Sequence, residues 1–159
     1  MRLLQNIFWW LAFLFAGIIL QLYVPGLDAL IVGIILVSLE RDYKTMVWLV
    51  PAVVILQEGM GSLSFGFSMF YIGSFFLINK LFQGVALAAK GAFFLLVSLC
   101  MGLLHGFYSW FFATLQNVPF DMNVIVHDGV LQTFYILVAW PMLGRLRRLV
   151  VHDEKKAES

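Results

Sequence analysis

Apolar runs broken by short polar punctuation fill almost the whole chain. Crossing the hydrocarbon core takes about 20 apolar residues in a helix. The first run, from Leu3 to about Val24, meets that length and stops at Pro25-Gly26, a strong helix breaker. The second, Leu27–Leu39, closes at Glu40-Arg41-Asp42. The third, Met46–Leu56, closes at Gln57-Glu58. Both are short, so they either thin the bilayer or sit half-buried behind other helices. A fourth run, Leu63–Ile78, leads to Asn79-Lys80, followed by a weaker stretch, Leu81–Ala89, and then Lys90. The fifth, Gly91 to about Leu115, is long enough to cross with a tilt. The sixth, about Val130 to Leu143, ends in Gly144-Arg145-Leu146-Arg147-Arg148.

Hydropathy alone leaves five to seven spans open, and charge narrows the count. Cytoplasmic loops are enriched in Lys and Arg. All 10 positive residues fall in four places. Arg2 precedes the first run, and Arg41 and Lys44 lie between the second and third. Lys80 and Lys90 flank the connection between the fourth and fifth. Arg145, Arg147, Arg148, Lys155 and Lys156 follow the sixth. The intervening loops, Gln21–Asp28, Gln57–Ser62 and Gln116–Asp128, hold no Lys or Arg and carry Asp28, Glu58, Asp121 and Asp128. The pattern predicts an all-α integral membrane protein of six transmembrane helices with short loops and both ends in the cytoplasm. If the second and third runs formed one re-entrant hairpin, Arg41 and Lys44 would lie within the membrane. That costs roughly 2.5–3.5 kcal/mol each on insertion scales. Residues 1–150 are expected to form the helical domain and 151–159 a charged, frayed tail.

Composition agrees. The 159 residues are 62% hydrophobic and 12% charged, against roughly 45–50% and about 25% in soluble domains. Mean hydropathy is +0.95. A net charge of +1 gives no surface for nucleic acid or an acidic substrate. Cys100 is the sole cysteine, so no internal disulfide forms and a metal cage is not expected. The first run lacks an A-x-A-like cleavage site and reads as a retained membrane helix. Trp9, Trp10, Tyr23, Trp48, Tyr71, Tyr108, Trp110, Tyr135 and Trp140 mostly lie near run ends, as interfacial aromatics do. Pro51 and Pro141 have unlike surroundings, so they mark no internal repeat.

Few residues could carry chemistry. Glu58 reads either as a carboxylate facing a cavity or partner helix, or as a loop acid beyond a helix end, with glycines making the turn. His105 interrupts the fifth run. It is either a relay or substrate group, or a neutral histidine bonded to a neighbouring helix. Gly59, Gly61 and Gly66, with Ser62, Ser64 and Ser68, suit close helix packing rather than a ligand pocket. Gly61–Gly66 lacks the Lys-Ser/Thr of a phosphate loop. His127 beside Asp128 lacks a third metal ligand. No Ser/His/Asp set, paired carboxylates or metal-spaced cluster is visible, so neither enzyme activity nor a cofactor is expected. Arg145, Arg147 and Arg148 read as a topology anchor at anionic headgroups, with a partner-docking role as the alternative.

Several segments together resemble the MreD family of rod shape-determining membrane proteins. The first helix ends in Gln21 and a Pro25 turn. The second opens with an acid in Leu27-Asp28-Ala29-Leu30, where the family commonly has Pro-Asp. The third leads into Gln57-Glu58-Gly59-Met60-Gly61-Ser62-Leu63-Ser64-Phe65-Gly66. The last runs from Leu131-Gln132-Thr133-Phe134-Tyr135 through Pro141 to Leu146-Arg147-Arg148. Length and span count agree. The resemblance implies a non-enzymatic scaffold of the peptidoglycan elongation complex in the bacterial inner membrane. It implies an MreC-like periplasmic coiled-coil partner and, through it, MreB, RodA and a class B penicillin-binding protein. It also implies a fold related to the S-components of energy-coupling-factor transporters. Fold therefore leaves a substrate-capturing transporter subunit as the alternative. On either reading Asp28, Gln57, Glu58, Gly61, Gly66 and His105 are the candidate polar or close-packing contacts.

Overall fold

A computed structural model describes residues 2–60, 66–82, 84–85 and 89–152. Its principal elements are six helices, and the described residues contain no strand. They are α1 (Arg2–Tyr23), α2 (Ile31–Leu39), α3 (Tyr43–Met60), α4 (Phe67–Leu81), α5 (Lys90–Leu115) and α6 (Met122–His152). The stretches Leu4–Tyr23, Gly91–Leu115 and Met122–Val150 are each long and apolar enough to cross a membrane. This is a helical protein of membrane type.

The helices differ from the expected runs in informative ways. The second run is helical only over Ile31–Leu39, nine residues, or about 14 Å at 1.5 Å per residue. That is under half of a hydrocarbon core of about 30 Å. Its residues Ile31 to Val37 are all buried. The shortness follows from position: α2 is the inner strut of the bundle, enclosed by α1, α3, α4 and α6. The third run is longer than expected, since α3 takes in Gln57 and Glu58. The sixth is much longer. α6 starts at Met122, runs straight through Gly144-Arg145, and measures 31 residues, about 46 Å. Within the expected tail, Val151 and His152 are helical, and the remainder lies outside the described residues.

Two helices end in caps of one type. The N–H of Asp42 bonds to Val37 O and that of Arg41 to Ser38 O, while Val118 and Asn117 repeat the pattern on Ala113 and Thr114. Arg41 and Asn117 take the left-handed conformation at φ 54. Their backbone bonds satisfy carbonyls that would otherwise be orphaned at the ends of α2 and α5.

The closest helix contact is α5 against α6. A Cβ on Gly102 would lie 1.7 Å from Thr133 Oγ1 and 2.5 Å from the Gly129 carbonyl. Gly102 and Gly106 are four apart and share a face, the small-xxx-small spacing that lets backbones meet. The expected small-residue cluster behaves differently. Gly59 faces open space, Gly61, Ser62 and Ser64 lie outside the described residues, and Ser68 is buried. Between α5 and α6 the close packing is done by Gly102, Gly106 and Gly129.

Polar contacts define two ends of the bundle. At one end Asn6 Nδ2 donates to Thr45 Oγ1 at 3.2 Å, and Asn79 Nδ2 to Ser38 Oγ at 3.3 Å. Arg147 Nε donates to both Glu40 carboxylate oxygens at 2.8 Å. Its guanidinium carbon lies 4.5 Å from the Trp10 ring centre. The start of α1, the α2–α3 turn and the ends of α4 and α6 therefore share this end. Arg147 departs from expectation: it is 3% exposed, an internal tie rather than a headgroup anchor. Arg41, Lys44, Arg145 and Arg148 are exposed. Trp10, Tyr71 and Trp140 also depart, being core residues. They are large enough to fill the gaps between helices, and Trp140 packs against Phe93 and Phe94. Tyr23, Trp48 and Trp110 are exposed as belt aromatics would be.

Candidate functional site

The other end centres on Asp28. Residues Val24 to Leu30 carry the chain from α1 into the bundle without helical structure, so their backbone groups need outside partners. α6 supplies them. The Gln132 side-chain amide pairs with one residue twice, accepting from Asp28 N at 2.9 Å and donating to Asp28 O at 2.9 Å. One turn on, Tyr135 OH donates to Ala29 O at 3.2 Å. Gln132 is 0% exposed and lies ten residues into α6 (122 to 132), about 15 Å below its start. A lone amide at that depth is costly unless it is fully bonded.

The Asp28 side chain is 5% exposed. Its Oδ1 accepts from the Ile31 N–H at 3.2 Å, capping the entry to α2. The same oxygen accepts from Gln57 Nε2 at the end of α3. Its Oδ2 is buried with no partner among the described residues, as is Gln57 Oε1. Gly26 completes the approach. It adopts φ +80, and a Cβ there would fall 2.4 Å from the Asp128 carboxylate. Only glycine meets both demands.

Glu58 is not a loop acid beyond a helix end: it faces the cleft. It lies in the last turn of α3, half-buried, and both its carboxylate oxygens accept from the Gly66 N–H, at 2.9 and 2.7 Å. Gly66, at φ +113, opens α4. A carboxylate there is favoured by the positive end of the helix dipole, and the bond ties the end of α3 to the start of α4. His105 is 5% exposed. Its ring meets Phe67 and Tyr71 edge-on, at 5.6 Å between centres in both cases. The expected bond from His105 to a neighbouring helix is not seen at Nδ1, which is buried without a partner.

These residues line a cleft of about 590 Å³. Asp28, Gln57, Glu58 and His105 contribute from within, and Pro119, Phe120, Asp121 and Asp128 from the rim. His105 lies ten residues before the end of α5 (105 to 115), about 15 Å down, matching Gln132 on α6. The volume falls within the roughly 300–1,000 Å³ of small-molecule sites. No Lys or Arg lines the cleft.

No family model, curated protein or solved structure matches this chain.

Of the candidates named from sequence, Asp28, Gln57, Glu58 and His105 come together in one cleft. Gly66 serves it as the partner of Glu58, and Gly61 lies outside the described residues. His127 Nδ1 sits 3.3 Å from Asp128 Oδ1, and no group of three metal-type ligands occurs among the described residues. Sequence reasoning missed Gln132 and Tyr135 as backbone partners. It also missed the Gly102–Gly106 pair and the pairing of Arg147 with Glu40. The first and second had readable signals: an amide within an apolar helix, and a G-x-x-x-G spacing. The ion pair joins residues 107 apart in sequence and had none.

Proposed function

We propose that this chain is a non-enzymatic membrane scaffold subunit of the bacterial cell-elongation machinery, similar in role to MreD. On this reading it crosses the inner membrane six times, with the Arg147 end in the cytoplasm and the Asp28 end outside. The second crossing is made partly by non-helical chain, with Gln132 and Tyr135 supplying backbone bonds that lipid cannot. One observation carries the reading. The segments that resemble the family are far apart in sequence, yet the acid opening the second, the Gln ending the third and the Gln of the last meet at Asp28, Gln57 and Gln132. A shared structural centre is what a common architecture would require of them.

A scaffold of this size must touch its partners through helix faces and short loops. An apolar groove of about 570 Å³ between α5 and α6, floored by Gly102, Gly106 and Gly129, offers a seat for a partner's membrane helix. The partners on this reading are an MreC-like periplasmic coiled-coil protein and, through it, MreB, RodA and a class B penicillin-binding protein. Depletion in a rod-shaped host should round the cells, and the tagged chain should co-purify with the coiled-coil partner. Normal rods with impaired uptake of a small molecule would overturn the reading. They would favour the second one, a substrate-capturing transporter subunit, which the polar cleft beside Asp28 supports.

A further inference from the structure

We propose that the cleft at the Asp28 end binds a small organic cation, its ammonium or guanidinium group held by Asp28. The inference goes beyond the scaffold role and stands on the cleft alone. If the chain captures a substrate instead, the inference supplies the chemical class.

Charge is the first support. Asp28, Glu58, Asp121 and Asp128 all line the cleft, with no Lys or Arg among its lining residues. The sequence places no positive residue in any of the three connections at this end. Low-dielectric walls lined by one sign of charge concentrate the opposite ion.

The second support is independent of net charge. Asp28 and His105 are each more than nine-tenths buried, each lines the cleft, and each carries a polar atom with no partner among the described residues. Gln21 Oε1 and Gln57 Oε1, also on lining residues, are likewise unpartnered. Buried polar atoms are nearly always bonded, and exceptions call for an explanation. Three of these four atoms are carboxylate or amide oxygens, which only accept hydrogen bonds. A group rich in N–H donors is the chemical complement of such oxygens, and an anion is not. Phe67 and Phe120 also line the cleft. They offer apolar surface for a ligand's carbon skeleton and ring faces for its charge.

The test uses the full chain purified in non-ionic detergent, with phenethylamine, agmatine and spermidine as probes. Phenylacetate and 2-phenylethanol serve as anionic and neutral controls of matching size. Calorimetric titration should show saturable binding of at least one amine, weakened by added salt, and none of phenylacetate. Asp28→Asn keeps the Oδ1 acceptor for Ile31 and Gln57 and removes the charge. It should weaken binding by about tenfold, equivalent to about 1.4 kcal/mol. Asp121→Asn, at the exposed rim, keeps an Oδ1 acceptor for the Asn123 N–H and should weaken binding by a smaller factor. Failure of all three amines to bind would overturn the proposal. Equal binding of phenylacetate, or wild-type affinity in both variants, would do the same. Co-purification with the coiled-coil partner, scored on the same preparation, keeps the scaffold reading separately testable.

Discussion

The two ends of the bundle handle buried charge in opposite ways. At one, a buried cation meets its own carboxylate: Arg147 is held by Glu40 and roofed by Trp10. At the other, the buried carboxyl of Asp28 meets only amides, with one oxygen unpartnered, beside an open cleft. The first is a structural tie through Arg147 Nε, joining α2 to α6. The second holds the chain in place through backbone bonds from Gln132 and Tyr135 while leaving side-chain capacity unused. Among the described residues both ends leave a buried polar atom without a partner, Arg147 Nη1 at one and Asp28 Oδ2 at the other; what separates them is an opposite charge in contact at the first and an open cleft at the second.

The contrast can be broken at three points. Arg147→Met should have the largest effect. Removing one partner of a buried pair costs about 3–5 kcal/mol, and the 29% exposure of the Glu40 side chain puts this case at the low end. Adding Glu40→Gln should restore much of the loss, read by thermal unfolding of the detergent-solubilised protein. If Arg147→Met alone unfolds like wild type, the tie is ornamental. Gln132→Leu should come next. It strands the N–H and C=O of Asp28, at about 1–3 kcal/mol for each group left unpaired. Faster hydrogen exchange at Asp28 and Ala29 than at Val97 would locate the damage, and unchanged exchange there would count against the clamp. Gly102→Ala should be smaller, at about 1–3 kcal/mol for overpacking: Thr133 can rotate away, but the Gly129 carbonyl cannot, so the loss stays measurable. Gly73→Ala, in open space, is its control and should be near neutral. Equal effects of the two would mean that α5 and α6 are not in close contact.

The sequence revealed the helical membrane class plainly, because long apolar runs leave no other fold. It also pointed to four residues that the fold brings to one cleft, since Asp28, Gln57, Glu58 and His105 are conspicuous in apolar surroundings. Element lengths were less legible. The Leu27–Leu39 run is almost wholly apolar, yet its first residues are not helical, and Gln132 and Tyr135, more than 100 positions away, bond their backbone. Hydropathy has no term for a distant hydrogen bond. Arg147 was misread for the same reason. A cationic cluster near a chain end looks like a headgroup anchor until Glu40 and Trp10 are brought to it by the fold.

The account rests on the two ends lying on opposite sides of a lipid bilayer. In a Cys100→Ser background, single cysteines placed at Lys44 and at Asp121 can be probed in intact cells with a membrane-impermeant maleimide. The account predicts labelling at position 121 and protection at 44 until the membrane is opened. Labelling of both from outside, or of 44 alone, would contradict it.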